Sequence, residues 1–373
     1  MSKICIDIRA LLDEPRSGVG EYTHTLLHEL INVQHEHEFV LFFSGRKKSK
    51  TIKSLQLAFK DNPKVTWYHL KWPNKVINML WFMQLGPCID ELTNTTQVWM
   101  PNYNFVRISA RARLLITCHD ISYKLLPHVF SKKGRFWHWV VNPMRLYRRA
   151  DVVIAVSKQT KNDLRMSGID ERKIQVAYPL LPKIKIDVSD QEVQVEQGAF
   201  LYIGTLDPRK NILGVLEGYV RYTQLVSLPR PLYIAGRLGW HEKGYYKQIT
   251  NIISNCSSVK YIGYMPENEK GKSLQNARAC LFASLYEGFG FPPLEAMQMN
   301  CPVIASSVGS LPEVIGTGAY YVDPYDAESI ARSFLVLDTN EEVYKNLISE
   351  GEKVIDFWTQ QRDISLKKVL SLL

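Results

Sequence analysis

Short apolar runs alternate with amphipathic helical patterns along most of the chain. Between the first two runs, for example, Tyr22, Leu26, Leu27, Leu30 and Ile31 recur at the spacing of one helical face. Alternation of strand and helix is typical of a parallel sheet with helices on both faces. We predict buried strands in the first half at Lys3–Ile8, Glu38–Phe43, Val65–Leu70, Gln97–Met100, Leu114–Cys118, Val152–Val156 and Ile174–Tyr178.

The pattern breaks between Pro179 and Gly198, where prolines and mixed charges predict a linker at residues 181–197. It then restarts, with helices predicted at Leu213–Val226 and Glu242–Ser254. The sequence therefore predicts an α/β protein with two doubly wound, Rossmann-like domains, residues 1–180 and 198–355, that face each other across a cleft. A C-terminal helix at 356–373 is expected to pack back on the first domain. The predicted strands of the second domain are Phe200–Gly204, Leu232–Ala235, Val259–Ile262, Ala279–Ala283, Val303–Ala305 and Ala319–Val322.

Charge is distributed unevenly between the two halves. The 373 residues carry a net charge of +9, with 46% hydrophobic residues, which excludes a disordered chain. Residues 1–180 hold 27 Lys and Arg against 15 Asp and Glu, a net charge of +12, whereas the remainder is close to neutral. The basic half could meet nucleic acid, but no recognised nucleic-acid motif is present, and we predict no such partner. Six scattered cysteines favour buried thiols over a set of disulfides.

The loop from Ser284 to Met297 is the strongest candidate for chemistry. It follows a predicted strand, and ligands of doubly wound sheets lie beyond the carboxyl ends of strands. Its glycines allow close approach of the backbone, and amides at the start of the next helix favour a phosphate. Glu287 and Glu295 can each accept two hydroxyl hydrogens of a diol. The alternative is a solvated loop acid at Glu287 and a carboxylate at Glu295 that stabilises the helix dipole.

Three further loops follow predicted strands. Arg209 and Lys210 stand where a helix begins and can grip a diphosphate, unless they are only a solvated charge pair. His119 and Asp120 end a strand in the basic half, where a lone histidine would more often be structural. The loop Gly18–Gly20 can approach a ligand or form a plain tight turn. The sequence has no phosphate-loop, dinucleotide or zinc-protease motif, and no D-x-D carboxylate pair, so we predict neither a metal nor a cofactor.

The segment from Glu287 to Glu295 is similar to the E-x₇-E signature of glycosyltransferase family 4, retaining enzymes of the GT-B fold. The stretches Cys301–Ala305, Leu311–Val314, Asp323–Pro324 and Phe357–Trp358 also resemble that family. The likeness is dense over residues 198–360, and in the first half it is limited to Gly18–Gly20 and His119–Asp120. It implies a cytoplasmic enzyme that transfers a hexose from a nucleotide diphosphate to a hydroxyl and keeps the anomeric configuration. The acceptor would be bound by the first domain, residues 1–180, and the nucleotide sugar by the second, residues 198–355.

The resemblance also implies roles for individual residues. Lys210 would hold the donor diphosphate, Glu295 the ribose hydroxyls, and Glu287 the donor sugar. His119 would lie beside the C6 hydroxyl of the reacting sugar. The catalytic set would be His119, Glu287, Arg209 and Lys210. Other residues that would contact the donor are Gly18, Gly20, Asp120, Thr205, Gly263, Tyr264, Gly288, Phe289, Gly290 and Phe291.

Two positions depart from the common family pattern. Thr205 stands where many members have arginine, and Asn211 follows the lysine where glycine is frequent. The run from Asp207 to Asn211 looks more like a mannosyltransferase-like subset, which favours GDP-mannose as donor and polysaccharide, lipopolysaccharide or glycolipid as product. A UDP-sugar donor, a phosphorylase or hydrolase, and a sugar-nucleotide-binding protein without transferase activity stay as alternatives.

Two segments of the basic half mix cations with large aromatic side chains, Lys71–Met83 and Lys132–Arg149. Such segments suit an anionic lipid surface, and a lipid-linked saccharide as acceptor would explain both. We therefore expect a peripheral position on the inner face of the cytoplasmic membrane. The alternative is a packed helix with a solvated basic face. No stretch approaches the ~18 apolar residues of a membrane-spanning helix.

Overall fold

Parallel strands form two sheets in the computed structural model, which describes residues 2–46, 48–182, 184, 194–239 and 243–373. Most of the predicted linker and Glu242, the predicted start of a helix, lie outside the described residues. The strands are β1 (Lys3–Asp7), β2 (Glu38–Ser44), β3 (Val65–Leu70), β4 (Gln97–Met100), β5 (Arg113–Cys118), β6 (Val152–Ala155), β7 (Ile174–Val176), β8 (Phe200–Ile203), β9 (Leu232–Ala235), β10 (Val259–Gly263), β11 (Ala279–Phe282), β12 (Val303–Ser306) and β13 (Ala319–Val322).

Helices connect these strands, and short 3₁₀ turns lie at Arg9–Leu12, Pro127–Val129, Glu171–Lys173 and Pro208–Lys210. The α-helices are α1 (Gly18–Asn32), α2 (Lys50–Ala58), α3 (Asn74–Phe82), α4 (Ile89–Thr93), α5 (Ser122–Leu125), α6 (Lys132–Val141), α7 (Pro143–Arg149), α8 (Lys158–Met166), α9 (Ile212–Leu225), α10 (Lys243–Asn255), α11 (Glu267–Asn276), α12 (Phe291–Gln298), α13 (Leu311–Ile315), α14 (Ala327–Thr339) and α15 (Glu341–Leu372).

Both sheets have the strand order of a doubly wound fold. The first runs β3-β2-β1-β4-β5-β6-β7 and the second β10-β9-β8-β11-β12-β13, with every described pair parallel. The order reverses beside β1 and β4 in one sheet, and beside β8 and β11 in the other. Ligands of such sheets bind outside the carboxyl ends of the strands at this switch point. The predicted fold of two parallel-sheet α/β domains is confirmed.

The chain divides into two units, each with its own core. The first contains Met1–Ile121, Phe136–Leu180 and Gln361–Leu373, and the second Ser122–Arg135 and Leu181–Gln360. Within the first unit, the Gln97 side chain donates a hydrogen bond of 2.6 Å to the carbonyl of Leu373. In the second, Phe200, Tyr222 and Phe334 pack with ring centroids 4.8 to 5.8 Å apart. Central strands are apolar on both faces because helices cover both.

Candidate functional site

A short turn after β8 presents the two predicted cations of the second unit. Asp207 caps this turn, and its Oδ1 accepts a hydrogen bond of 3.2 Å from the Lys210 amide. Asn211 then adopts a left-handed conformation with φ of +57°. Glycine and asparagine tolerate that conformation best, which explains why asparagine can stand where glycine is frequent. Its Nδ2 donates a hydrogen bond of 2.7 Å to the carbonyl of Pro324.

Glu287, in the loop after β11, lies between these cations. Lys210 Nζ is 2.5 Å from Glu287 Oε1, and Arg209 Nη1 is 3.0 Å from Glu287 Oε2. Arg209 Nη1 also donates to the carbonyl of Tyr286 at 2.9 Å. The three charged side chains are between 13% and 21% exposed. The fold therefore brings together three of the four predicted catalytic residues at the β8–β11 switch point.

The charges around Glu287 decide its ionisation. Burial alone would raise the pKa of this carboxyl, but Lys210 and Arg209 outweigh burial and lower the pKa to about 2. Glu287 is therefore a carboxylate at neutral pH. It neutralises one of the two cations and leaves a net single positive charge in this group of three, which suits an anionic ligand such as a diphosphate.

Backbone contacts hold the Glu287 loop against the loop after β12. Ser310 Oγ donates hydrogen bonds of 2.9 Å to the carbonyls of both Glu287 and Phe289. Gly309 has φ of +64°, and a Cβ at this position would lie 2.9 Å from the Glu287 carbonyl oxygen. A side chain at Gly309 would thus push directly on the Glu287 backbone.

The rest of the predicted motif forms the start of α12. Gly290 has φ of +111° and caps the helix that begins at Phe291. The Phe289 ring packs edge-to-face on Phe291 at 5.3 Å and on Trp358 at 5.2 Å. Gly288 lies in the same loop, between Glu287 and Phe289. Pro292 and Pro293 in the first turn carry no N–H, so this end of α12 can offer an anion the Phe291 amide and the positive end of the helix dipole.

Glu295 is buried in α12 and pairs with a lysine that the sequence did not indicate. Lys270 Nζ, from α11, lies 2.5 Å from Glu295 Oε2 and 3.4 Å from Glu267 Oε1. Burial opposes the charge on Lys270, but Glu295 and Glu267 outweigh it and raise the pKa of the ammonium. Lys270 is therefore a cation at neutral pH, and the expected ribose contact of Glu295 stays a prediction.

The other predicted donor contacts of the second unit lie after β8 and β10. The Thr205 carbonyl accepts a hydrogen bond of 3.3 Å from the Tyr202 hydroxyl. Gly263 has φ of +72° at the end of β10. The next residue, Tyr264, lies under the Arg237 guanidinium at 4.2 Å from the ring centroid. A half-exposed ring beside a left-handed glycine is a suitable border for a nucleotide base.

His119 and Asp120 follow β5 in the first unit. His119 Nε2 lies 2.8 Å from the carbonyl of Pro101, and a carbonyl only accepts, so Nε2 carries the proton. Burial lowers the pKa of the imidazole, although the Pro101 carbonyl and Asp120 oppose the shift. The ring is therefore neutral at pH 7, and Nδ1 can accept a hydrogen bond from a sugar hydroxyl.

The predicted loop at Gly18–Gly20 is wrong, because both glycines belong to the first turn of α1. Ser17 begins this helix as its cap, and its side chain accepts a hydrogen bond of 3.3 Å from the Gly20 amide. Tyr22, in the next turn, packs edge-to-face on His119 with ring centroids 4.8 Å apart. The start of α1 and His119 are therefore neighbours, as the prediction requires, but a helix start and not a loop lies there.

The motifs in the sequence did not indicate the charged residues at the end of β1. Asp7 and Arg9 form an ion pair of 2.6 Å that is almost completely buried. The sequence does contain a signal for this pair, namely two opposite charges at the end of an apolar strand. Lys270 and Ser310 gave no comparable signal, since they lie far along the chain from Glu295 and Glu287, respectively.

Metal binding has no geometric candidate among the described residues, since no three His, Cys, Asp or Glu side chains lie close enough together to hold an ion. All six cysteines are free thiols, and burial raises the pKa of Cys5 and Cys118. Among the described residues at the β8–β11 switch point, Lys210, Arg209 and Glu287 form a charged group that a ligand can meet.

Comparison with known proteins gives matches across both units. The model described as "Glycosyltransferase Family 4" matches residues 16–181, and the one described as "Glycosyl transferases group 1" matches residues 184–354. The chain is 28% identical over 343 residues to O-antigen chain mannosyltransferase B of Escherichia coli, covering 86% of this chain and 87% of that one. It is 28% identical over 215 residues to O-antigen chain mannosyltransferase RfbU of Salmonella typhimurium, covering 57% of this chain and 58% of the relative.

Among solved structures, the Anabaena protein Alr3699/HepE in complex with UDP and glucose aligns over the full length of both chains. The TM-score is 0.69 at 17% identity, which shows the shared fold. The two family models extend the likeness into the first half, where the motifs alone were sparse. Their consecutive matches, together with the E-x₇-E loop at the second switch point, show that the chain belongs to glycosyltransferase family 4 and has the GT-B fold.

Proposed function

We propose that this glycosyltransferase moves mannose from GDP-mannose to a saccharide acceptor, with retention of configuration at the anomeric carbon. The observation that carries the proposal is the contact of Lys210 and Arg209 with Glu287 at the β8–β11 switch point. The names of the Escherichia coli and Salmonella relatives, both O-antigen mannosyltransferases, support mannose and a polysaccharide product.

The cations would act on the leaving group. When the bond between C1 and the diphosphate oxygen breaks, negative charge builds on the diphosphate and positive charge on the sugar ring. An ammonium has three N–H donors, so Lys210 can bind a phosphate while it retains Glu287. Charges fixed where a reaction develops charge are the largest single source of catalysis in many enzymes.

The acceptor hydroxyl would attack C1 on the face that the diphosphate leaves. The new C1–O bond forms as the old one breaks, and the hydroxyl proton passes to the departing phosphate oxygen. In this scheme the chain provides neither nucleophile nor base, and the two cations serve the diphosphate without a metal ion. His119 Nδ1 would accept a hydrogen bond from the donor sugar and orient it.

A donor screen followed by product analysis tests this function. GDP-mannose, GDP-glucose, UDP-glucose and UDP-galactose are compared by thermal shift, since a ligand of the folded state raises the melting temperature. Slow hydrolysis of the donor that binds most tightly is then measured with and without EDTA. NMR assigns the anomeric configuration of the bond formed to a trial acceptor. Turnover of GDP-mannose to an α-linked product in EDTA is expected, and an inverted product or strict metal dependence contradicts the mechanism.

A UDP-sugar is the second candidate donor, favoured by the complex of Anabaena Alr3699/HepE with UDP and glucose. The screen separates the two, because GDP-glucose and UDP-glucose differ in the base and share the sugar. A melting-temperature rise with UDP-glucose and none with GDP-glucose or GDP-mannose would replace GDP-mannose in the proposal and leave the role of the cations unchanged.

We further propose that the first unit meets an anionic lipid surface and a lipid-linked acceptor. Phe82 and Trp139 are 54% and 75% exposed, and both line one cavity of about 450 Å³ together with Arg145 and Arg149. The cavity unites the two basic-aromatic segments, and exposed aromatics beside arginines suit a headgroup region. No helix in the described residues has the length and apolarity needed to cross a bilayer.

Cosedimentation with phosphatidylglycerol vesicles tests the surface. Binding at low salt that weakens at high salt is expected, with phosphatidylcholine vesicles as the neutral control. A double variant, Phe82→Ser with Trp139→Ser, should lose binding. Binding that is absent at low salt, or equal for both lipids, ends this part of the proposal.

A further inference from the structure

A buried ion pair joins α11 and α12, the two helices that precede and follow β11 along the chain. Lys270 Nζ lies 2.5 Å from Glu295 Oε2, and the two side chains are only 14% and 10% exposed. Lys270 Nζ also lies 3.4 Å from Glu267 Oε1, but the side chain of Glu267 is 71% exposed. Lys270 therefore contacts two carboxylates, of which one is buried and the other is solvated.

Stability alone does not account for this buried pair. The free energy needed to remove two opposite charges from water commonly exceeds their attraction, and apolar side chains of similar volume often stabilise such a contact at least as well. The contact with Glu267 adds little, because solvent screens an exposed ion pair. A lysine at position 270 therefore needs a reason besides stability, and we look for it at Glu295.

Glu295 lies in the part of α12 that is nearest to the cations of the second unit. The helix begins at Phe291, four residues after Glu287, and Glu295 follows four residues later. Side chains of an α-helix tilt towards its N-terminus, so the Glu295 carboxylate is directed back towards the carboxyl end of β11. Lys210 and Arg209 contact Glu287 at that same end. A nucleotide with its diphosphate on these cations would bring its ribose towards Glu295.

The protonation of a carboxyl group decides what it can do for a ribose. An ionised carboxylate accepts hydrogen bonds from both hydroxyls of a diol, whereas a protonated carboxyl uses one oxygen as a donor. Burial favours the protonated form, and an adjacent cation favours the ionised one. Burial disfavours the charge on Lys270, but Glu295 and Glu267 outweigh burial and raise the pKa of the ammonium. Lys270 is thus a fixed cation that favours an ionised Glu295.

The same contact also fixes the direction of the carboxylate. Lys270 holds Oε2 of Glu295 at 2.5 Å, and the lysine itself is held between α11 and α12. An ionised carboxylate has about four acceptor sites, so Glu295 can accept hydroxyl hydrogens while it retains Lys270. A carboxylate that is oriented before the ligand arrives binds with a smaller loss of entropy.

We infer that Lys270 is a positioning residue, which holds Glu295 as an oriented carboxylate for the two ribose hydroxyls of the donor and so sets a preference for ribonucleotides over deoxyribonucleotides. The inference deepens the proposed function and rests on it, because it concerns the nucleotide of the same donor. Lys270 acts through Glu295 in this assignment and makes no contact of its own with the nucleotide.

The ratio of two affinities tests this role. Isothermal titration calorimetry measures the binding of GDP and 2′,3′-dideoxy-GDP to each variant, and the same pair with uracil is measured in parallel to cover both candidate donors. A partly unfolded variant loses affinity for both nucleotides by the same factor, so the ratio reports on the contact with the hydroxyls. We expect the wild type to bind the ribonucleotide about 10- to 100-fold more tightly, the effect of a hydrogen bond to a charged group.

Substitutions of Lys270 should change this ratio according to their charge. Lys270→Met removes the cation and should reduce the ribonucleotide preference about tenfold, whereas Lys270→Arg retains a cation and should recover part of it. Glu267→Gln removes the solvated carboxylate that Lys270 contacts, and as the matched control it should leave the preference unchanged. Loss of one partner of a buried ion pair can prevent folding. Lys270→Gln, which is neutral but polar, takes the place of Lys270→Met in that case.

A double-mutant cycle shows whether Lys270 acts through Glu295. Glu295→Gln alone should reduce the ribonucleotide preference about as much as Lys270→Met does. When Glu295→Gln is already present, Lys270→Met should cause no further change in the preference. An equal further loss would mean that Lys270 contacts the nucleotide itself, and would overturn the positioning role.

The outcomes separate this inference from the proposed function. If donor turnover is normal and Lys270→Met retains the full ribonucleotide preference of the wild type, the role of Lys270 alone is overturned. If the wild type binds both nucleotides of each pair equally, the inference is wrong, whereas sugar transfer can still stand. If the wild type neither binds a nucleotide diphosphate nor hydrolyses a nucleotide sugar, the proposed function fails and the inference fails with it.

Discussion

The two switch points of this enzyme present opposite chemistry at equivalent strand ends. Beyond β8 and β11, two cations surround one carboxylate, and the group keeps a net positive charge. Beyond β1 and β4, Asp7 and Arg9 cancel each other, and the remaining groups are amides and aromatic rings. The same strand order thus carries a group with a net positive charge in one unit and a charge-balanced ion pair in the other.

The two switch points differ in how many residue types could form a binding site there. A diphosphate needs fixed positive charge. Because few residue types carry one, few residue types can form a diphosphate site. A neutral sugar can be held by many combinations of amide, hydroxyl and ring. Four predictions probe the contrast between the two sites, beginning with the one expected to have the largest effect.

Replacing Glu287 should cause the largest loss. Glu287→Ala leaves Lys210 and Arg209 without their shared carboxylate, so the cations lose the geometry that serves the leaving group. We expect kcat to fall about 10²–10³-fold, as for loss of one electrostatic contact in other enzymes. Steady-state kinetics with the donor found in the screen measure kcat. Glu342→Ala, which replaces an exposed glutamate of α15, serves as the control. A near-normal kcat would remove Glu287 from the catalytic set.

His119→Ala should have the next largest effect. The neutral ring donates through Nε2 to Pro101, and its Nδ1 is expected to accept from the donor sugar. Loss of one hydrogen bond in a site that develops charge is worth roughly 1.5–3 kcal/mol, or about 10- to 100-fold in kcat. His119→Asn retains a side chain able to hydrogen bond and should recover part of the rate. Equal rates for both variants would argue against a hydrogen-bonding role.

A methyl group at Gly309 should reach the second switch point through the backbone. Gly309→Ala places its Cβ 2.9 Å from the Glu287 carbonyl oxygen, whereas Gly316→Ala, also at positive φ, meets nothing within 4 Å. Both variants add backbone strain because both glycines have positive φ, so thermal unfolding of each variant is measured to separate that strain from the contact. We expect Gly309→Ala to lower kcat about tenfold and Gly316→Ala to leave it unchanged. Equal activities would show that the Glu287 backbone can move without cost.

The smallest effect concerns acid stability. The pKa of Glu287 is about 2 in the folded chain and near 4.5 ordinarily. Between these values the unfolded chain binds the proton and the folded chain does not, so stability falls as pH falls from 4.5 towards 2. From pH 6 to pH 3.5, unfolding titrations should show the wild type losing on the order of 1 kcal/mol more than Glu287→Gln. Identical pH profiles would mean that the cations do not hold this carboxylate.

The fold and the charged site around Glu287 could both be predicted from the sequence, because each strand and each loop that forms them is a short continuous segment. Buried parallel strands are apolar on both faces, and β3, β4, β9 and β13 match their predicted bounds residue for residue. The charged site depends on two loops, Thr205–Asn211 and Ser284–Gly290, that each follow a strand. Sheet order then brings the loops together.

The cavity of about 280 Å³ that Asp7 and Arg9 line at the end of β1 could not be predicted in the same way. Its lining comes from four distant stretches, around Asp7, Asn78, Asn102 and Trp137, and none of these residue types marks a site by itself. The error at Gly18–Gly20 has a local cause. Paired glycines favour a loop, but Ser17 supplies the capping oxygen that lets the helix begin at Gly18. Tertiary neighbours, such as Lys270 for Glu295, lie beyond what spacing along the chain can reveal.

The side chain of Asn211 ties the turn that carries the two cations to the turn after β13, through its hydrogen bond to Pro324. A glycine at this position would supply the left-handed backbone but no such tether. This hydrogen bond links the two turns, and under the proposed function a nucleotide that ordered one turn would also order the other. On donor binding, the amide hydrogens of both turns should then exchange more slowly with solvent. In Asn211→Gly, the exchange in the turn after β13 should no longer slow together with that in the turn that carries the cations.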